Sequence, residues 1–161
     1  MIARAELSAE HAELDQLAEQ LITQVTQSGG PDTRMASMRW RLNHVLMVHL
    51  AKEDRHVYPR LQSCGEARVE AMATRFADEM GGLAQAYLAY ASDWTAQKIA
   101  EDWPGYATAT LGVMRALRTR IRREERDLYP MIDRVDSRLA APADDGTIGG
   151  PQPIIRASIA P

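Results

Sequence analysis

The stretch HLAKEDRHVYP, His49 to Pro59, decides the reading of this chain, because it returns later as RIRREERDLYP, Arg120 to Pro130. In the two copies Glu53 falls on Glu124, Asp54 falls on Glu125, and the Tyr58-Pro59 and Tyr129-Pro130 pairs coincide. His49 falls on Arg120. Upstream of each copy lies a second matching pair, LSAEHAEL (Leu7 to Leu14) and FADEMGGL (Phe76 to Leu83), in which His11 falls on Met80. A helix with one His followed by a helix with HxxxE thus occurs twice, and the second occurrence has lost both imidazoles. Closed on its copy, such a pair aims side chains from four helices at one point, where this chain keeps half of the nitrogen ligands.

The rest of the sequence is consistent with helices throughout. At 161 residues and 45% hydrophobic content the chain is sized for one domain with its own core. Ala, Leu, Met, Arg and Glu are plentiful, β-branched runs are missing, and only 6% of residues are aromatic. Breakers then divide it. One helix is predicted from about Ser8 to Gln27, stopped by SGGPD, and a second from Pro31 or Asp32 to Gln62, with Pro31 in its first turn. A third runs from Glu66 to Ser92. A fourth runs from Trp103 to Leu139, with Asp102 as its N-cap and Pro104 just inside. Pro59 and Pro130 sit inside these spans and predict a kink or break at the same repeat position in each half. The expected fold is all-α, an antiparallel up-down four-helix bundle over residues 1–139 followed by an irregular tail, 140–161. That tail holds five Ala, three Gly and four Pro, and its PIIRASI stretch is apolar enough to dock on the bundle or on another subunit.

Several functions are excluded by composition. The single Cys64 cannot form an internal disulfide, and no charged, apolar, small-residue leader precedes the first amphipathic segment, which predicts a cytoplasmic protein. No apolar run approaches the roughly 20 residues that span a bilayer. A net charge of −3 gives no overall attraction to nucleic acid or to an acidic membrane, so neither is an expected partner. The series Arg115, Arg118, Arg122 and Arg126 on the fourth helix is read as a solvated face, since no aromatic platform accompanies it.

Placing residues at roughly 100° each puts Leu7, His11, Leu14, Ala18, Leu21, Ile22 and Val25 on one face of the first helix. The second gathers Leu46, Leu50, Glu53, Val57 and Leu61 inward with His49 at the margin, and the fourth gathers Leu117, Ile121, Glu124, Leu128 and Ile132. Two carboxylates therefore point into an apolar interior, where each needs a cation, a proton or several hydrogen bonds. His44 and His56 fall on outer or edge positions and are not ligand candidates. Gly81 and Gly82 each cost about 1 kcal/mol inside a helix, which suggests close helix packing beside Met80 and a destabilised Gly82→Ala variant.

The duplicated helix pair, with HxxxE followed by Tyr-Pro, resembles the hemerythrin-like (HHE cation-binding) family over about Ser8 to Asp136. The resemblance implies an antiparallel four-helix bundle around a non-haem di-iron centre. His residues from all four helices and one bridging carboxylate from each HxxxE motif would ligate it. Carried over by position, His11, His49, Glu53 and Glu124 match metal ligands, while Met80 and Arg120 stand where that family has His. Both losses fall on the same iron, so a complete di-iron centre is not expected. Arg has five donors and no lone pair, and its charge opposes a second cation. It is expected to neutralise Glu124 at i,i+4 and to reach Glu53.

Two site readings follow. In the preferred one no metal binds, and Arg120 with the buried His and Glu residues forms a polar network that fixes helix register. In the other, His11, His49, Glu53 and Glu124 hold one Fe, Zn or Mn ion, with Asp15 one turn after His11 as an additional acceptor or, more simply, a rim carboxylate. No nucleophile arrangement or phosphate loop has sequence support, so an enzyme is not expected. The functional expectation is a binding, sensing or regulatory module with a degenerate di-iron site, contacting a protein partner or itself through exposed helix faces or the tail. The alternative is a half-site non-haem iron protein that binds oxygen, nitric oxide or peroxide.

Overall fold

The computed structural model describes residues 3–140, which are helical apart from short connections and contain no strand. Helix α1 spans Arg4–Gln27, α2 Met35–Lys52, α3 Tyr58–Gln62, α4 Ala67–Asp93, α5 Ala96–Glu101, α6 Trp103–Arg123 and α7 Tyr129–Ala140. Single π-helical turns, Glu53–Val57 and Glu124–Leu128, join α2 to α3 and α6 to α7 without interruption. Helix α1 packs against α2 and α6, while α4 packs against α3 and α6. The tail at 141–161, including PIIRASI, lies outside the described residues.

Caps and breakers set these limits. Asp102 accepts the Gly105 N–H at 2.9 Å at the start of α6, as its sequence predicts. The second helix departs from expectation, because Asp32 Oδ1 takes the N–H groups of Arg34 and Met35 at 2.9 and 3.0 Å. That local turn leaves Pro31 outside the helix. Helix α5 is missing from the four-helix expectation; Thr95 caps it by accepting from the Lys98 N–H, and Ile99 buries it. Gly65, at φ +79, makes the left-handed turn between α3 and α4 that a side chain resists.

The prolines also act differently from a break. Pro59 and Pro130 have no N–H to donate, and an α-helix there would bring each ring against the carbonyl four residues earlier. The chain instead widens by one residue, so that Tyr58 N–H bonds to Glu53 O and Tyr129 N–H to Glu124 O. Each helix then continues beyond its proline.

The interior has two apolar clusters. One contains Leu14, Leu21, Leu42, Leu46, Leu50, Met80, Met114, Leu117 and Ile121. The other contains Leu7, Val57, Leu61, Phe76, Leu128, Ile132 and Val135. Along α1 the polar residue between the clusters is His11; along α2 and its π turn they are His49 and Glu53; along α6 and its π turn they are Arg120 and Glu124. All five are at most 5% exposed. Expectation fails at two apolar-stripe positions: Ile22 is only half-buried, and His49 is inside rather than at a margin. The close approach expected at Gly81 and Gly82 is absent, since a Cβ built on either meets nothing within 4 Å.

A candidate metal centre

His11, His49, Glu53 and Glu124 each present one ligand atom to a common point, and these atoms lie within 4.8 Å of one another. Two carboxylates outside the cluster aim the imidazoles. His11 Nδ1 lies 2.8 Å from Glu125 Oε1, and His49 Nδ1 lies 2.9 Å from Glu10 Oε2. With each Nδ1 taken up by a carboxylate, each Nε2 faces inward toward the cluster. Glu10 is itself fixed by Lys52, whose ammonium also reaches Glu6. Burial would raise the Glu10 pKa, but Lys52 and His49 outweigh it and hold the carboxyl below its ordinary range.

The inner atoms are left short of partners. His11 Nε2 and Glu124 Oε2 are 3.3 Å apart, and His49 Nε2 and Glu53 Oε1 are 3.7 Å apart. His49 Nε2 and Glu124 Oε2 are buried with no hydrogen bond. These two atoms face the other acceptor atoms of the cluster. The electrostatics follow. Burial first, and the Glu124 charge second, push Glu53 well above the usual carboxylate range, against the pull of Tyr129, Arg120 and Tyr58. Burial, and then His11, lower His49 below its ordinary 6.5. Both shifts express the cost of charge in a dry interior, and a bound cation reverses that logic for carboxylates.

Arg120 fills the other half of the site. Its Nε donates to Glu124 Oε1 at 2.7 Å, Nη1 to Glu79 Oε2 at 3.2 Å, and Nη2 to Phe76 O at 2.6 Å and to the Tyr58 hydroxyl at 3.3 Å. The guanidinium carbon stands 4.4 Å over the Phe76 ring. Burial opposes the charge, yet Glu124 and Tyr58 together raise the Arg120 pKa further. The i,i+4 pairing with Glu124 is as expected. The expected direct contact with Glu53 is replaced by a relay, because the Tyr58 hydroxyl accepts from Arg120 and has one proton to give to either Glu53 Oε2, at 3.3 Å, or Glu124 Oε1, at 3.4 Å.

The repeat extends to the supporting carboxylates. Glu10 braces His49, and its repeat partner Glu79 braces Arg120, the residue in the place of that His. Glu125 braces His11, whereas its repeat partner Asp54 is exposed and makes no such bond, matching a Met80 that needs none. Met80 is buried among the apolar side chains. Asp15 is not a ligand; it pairs with Arg118 at 2.7 Å. His44 and His56 are exposed, as expected.

Sequence periodicity overlooked two residues here, Tyr58 and Tyr129. Five residues of unbroken α-helix turn roughly 500°, which would leave Tyr58 about 140° away from Glu53. The π turns bring each Tyr back toward the carboxylate five residues before it. Tyr129 then donates to Glu53 Oε1 at 3.0 Å, lies 3.2 Å from His11 Nε2 and stacks on its ring. The legible signal was the repeated Tyr-Pro itself.

The donor set fits a cation. Two imidazole nitrogens and two carboxylates suit Fe(II), Zn(II) or Mn(II), whose bonds of about 2.0–2.2 Å require donors separated by little less than those found here. The described helices include none long and apolar enough to cross a membrane. No curated protein and no solved structure matches the chain. The model of the hemerythrin HHE cation binding domain matches residues 3–132, a span that contains all four cluster residues as well as Met80 and Arg120. The chain belongs to the hemerythrin HHE cation-binding domain family.

Proposed function

We propose that this chain is an antiparallel up-down four-helix module that binds one divalent transition-metal ion through His11, His49, Glu53 and Glu124. Arg120 takes the place of the family's second cation. The observation that carries the proposal is the pair of buried, partnerless ligand atoms, His49 Nε2 and Glu124 Oε2, facing the other inner donors. A purely structural polar network satisfies its members, because a buried polar atom without a partner costs about 1–3 kcal/mol. This one leaves inward lone pairs unsatisfied while bracing both imidazoles from behind. That asymmetry favours the single-ion reading over the metal-free one.

When bound, the ion supplies Lewis acidity and, if it is iron, one-electron chemistry. The protein's own residues define what reaches it. The four ligands are at most 2% exposed, which disfavours organic substrates; the proposed ligands of the ion are small molecules of the size of oxygen, nitric oxide or peroxide. Tyr58 and Tyr129 hydroxyls donate to the carboxylates, and their own pKa values are raised by burial and then by Glu53 and Glu124. They remain proton-bearing donors. We read the module as a binding or sensing unit rather than an enzyme, acting on a protein partner through its exposed helix faces.

The test is an anaerobic equilibrium titration of metal-stripped protein with Fe(II) and Zn(II), repeated on His49→Ala and Glu53→Gln. One saturating site in the wild type, weakened at least about tenfold in each variant, is the expected result. Equal binding by all three proteins would place the metal elsewhere and sink the assignment.

A further inference from the structure

On the outer side of Arg120, between α4 and α6, a cleft of about 380 Å³ is lined by Arg115, Arg120, Arg123, Thr119 and Glu79 together with the apolar Leu83 and Ala116. Arg115, Arg120 and Arg123 share this cleft with one carboxylate, Glu79, while Arg120 is also paired with Glu124 behind it, in a protein whose net charge is −3. Arg75, 4.0 Å from Glu79, adds another positive charge at the edge. Glu79 uses a single oxygen, Oε2, for both Arg120 and Arg123, at 3.2 and 2.6 Å. Arg123 first, with Arg120 and Arg75 adding to it, holds the Glu79 carboxyl below its ordinary range. Arg115 is exposed and has no carboxylate partner among the described residues. Its neighbours in the helical series differ, since Arg118 is taken up by Asp15 and Glu19, and Arg126 by Asp127.

Arg120 supplies the fixed floor. A guanidinium has five N–H donors, and four here are committed: one from Nε, two from Nη2 and one from Nη1. The fifth, on Nη1, belongs to a side chain only 5% exposed that lines the cleft. Its position is set by Glu124, Tyr58 and Phe76, so a ligand meets an oriented, partly desolvated donor instead of a mobile surface chain. Arg115 and Arg123 flank it, offering planar forks suited to tetrahedral oxyanions.

We propose that this cleft is a binding site for a small oxyanion of the phosphate class, held between Arg115 and Arg123 over the spare N–H of Arg120. The site adjoins the inner cluster through Arg120, which pairs with Glu124 at 2.7 Å, but none of the four cluster residues lines the cleft. Of the outward arginine series only Arg115 lines the cleft, and Arg118 and Arg126 are already paired elsewhere.

The test is calorimetric titration of the full chain with inorganic phosphate at neutral pH, ionic strength held constant with chloride, and acetate titrated in parallel. One phosphate per chain is expected, with affinity reduced roughly tenfold or more in the double variant R115A/R123A. The control R122A/R126A removes the same formal charge from residues that do not line the cleft and should leave affinity within about twofold. Arg123 is half-buried over Phe76, so circular dichroism and the urea midpoint verify the fold of each variant, and R115A alone is titrated beside them. Absence of saturable heat overturns the proposal. So does equal weakening in both double variants, which would mean diffuse attraction, and so does acetate binding as tightly as phosphate.

Discussion

At the scale of single residues, Arg120 brings a buried positive charge to Glu124 at 2.7 Å, and in the proposed reading it stands in for a ligand and an ion together. Removing one partner of a buried pair costs more than the pair's net contribution, because the remaining charge is stranded. Arg120→Met should therefore destabilise the metal-free protein by about 3–5 kcal/mol in urea unfolding, with part of the loss recovered on adding Zn(II). A loss under about 1 kcal/mol would mean that Glu124 does not depend on Arg120. Gly82 carries the opposite sign. Its position is helical and open, so Gly82→Ala should raise stability by up to about 1 kcal/mol, read as a higher melting temperature. The opposite sign expected from sequence rested on glycine's helical cost, which names a penalty without saying what, if anything, is gained in return.

At the scale of elements, the π turns tie the Tyr-Pro signature to the site. Each begins at a cluster carboxylate and ends just before the Tyr whose hydroxyl serves that cluster. Helix α6 shows how short-range chemistry sets an element's start. Asp102 accepts from Gly105 N–H, and a Cβ on residue 105 would collide with the Asp102 carboxylate. Asp102→Ala and Gly105→Ala should each cost about 1 kcal/mol through loss of one cap, and the double variant should cost little more than either. Fully additive losses in thermal unfolding would show two separate causes. Helix α5 was illegible for a related reason. It holds only Ala96–Glu101, too short for apolar periodicity to register, and only its Thr95 cap marked it.

At the scale of the whole molecule, the helical class, the long spans and the inward positions of His11, Glu53 and Glu124 were legible because a duplicated pattern with 3.6-residue spacing constrains them twice. The relay through Tyr58, the bracing carboxylates and the inward seat of His49 were not, since they depend on local departures from that spacing and on contacts between helices. The buried cluster also shapes the pH response of the metal-free bundle. The His49 pKa is lowered on folding, so its contribution is full above about 6.5 and is lost as pH falls through the lowered value. Glu53, raised on folding, contributes below its ordinary range near 4.5 and loses that contribution as pH rises through its raised value. Between neutral pH and pH 5, metal-free wild type should lose stability more steeply than His49→Gln in parallel urea titrations; identical slopes would remove His49 from the account. The most direct measurement is the metal-to-protein ratio, by elemental analysis, of chain stripped of metal, incubated anaerobically with excess Fe(II) and desalted. The account predicts one iron per chain, with none retained by the His11→Ala, His49→Ala double variant. A ratio of zero or of two in the wild type would contradict it.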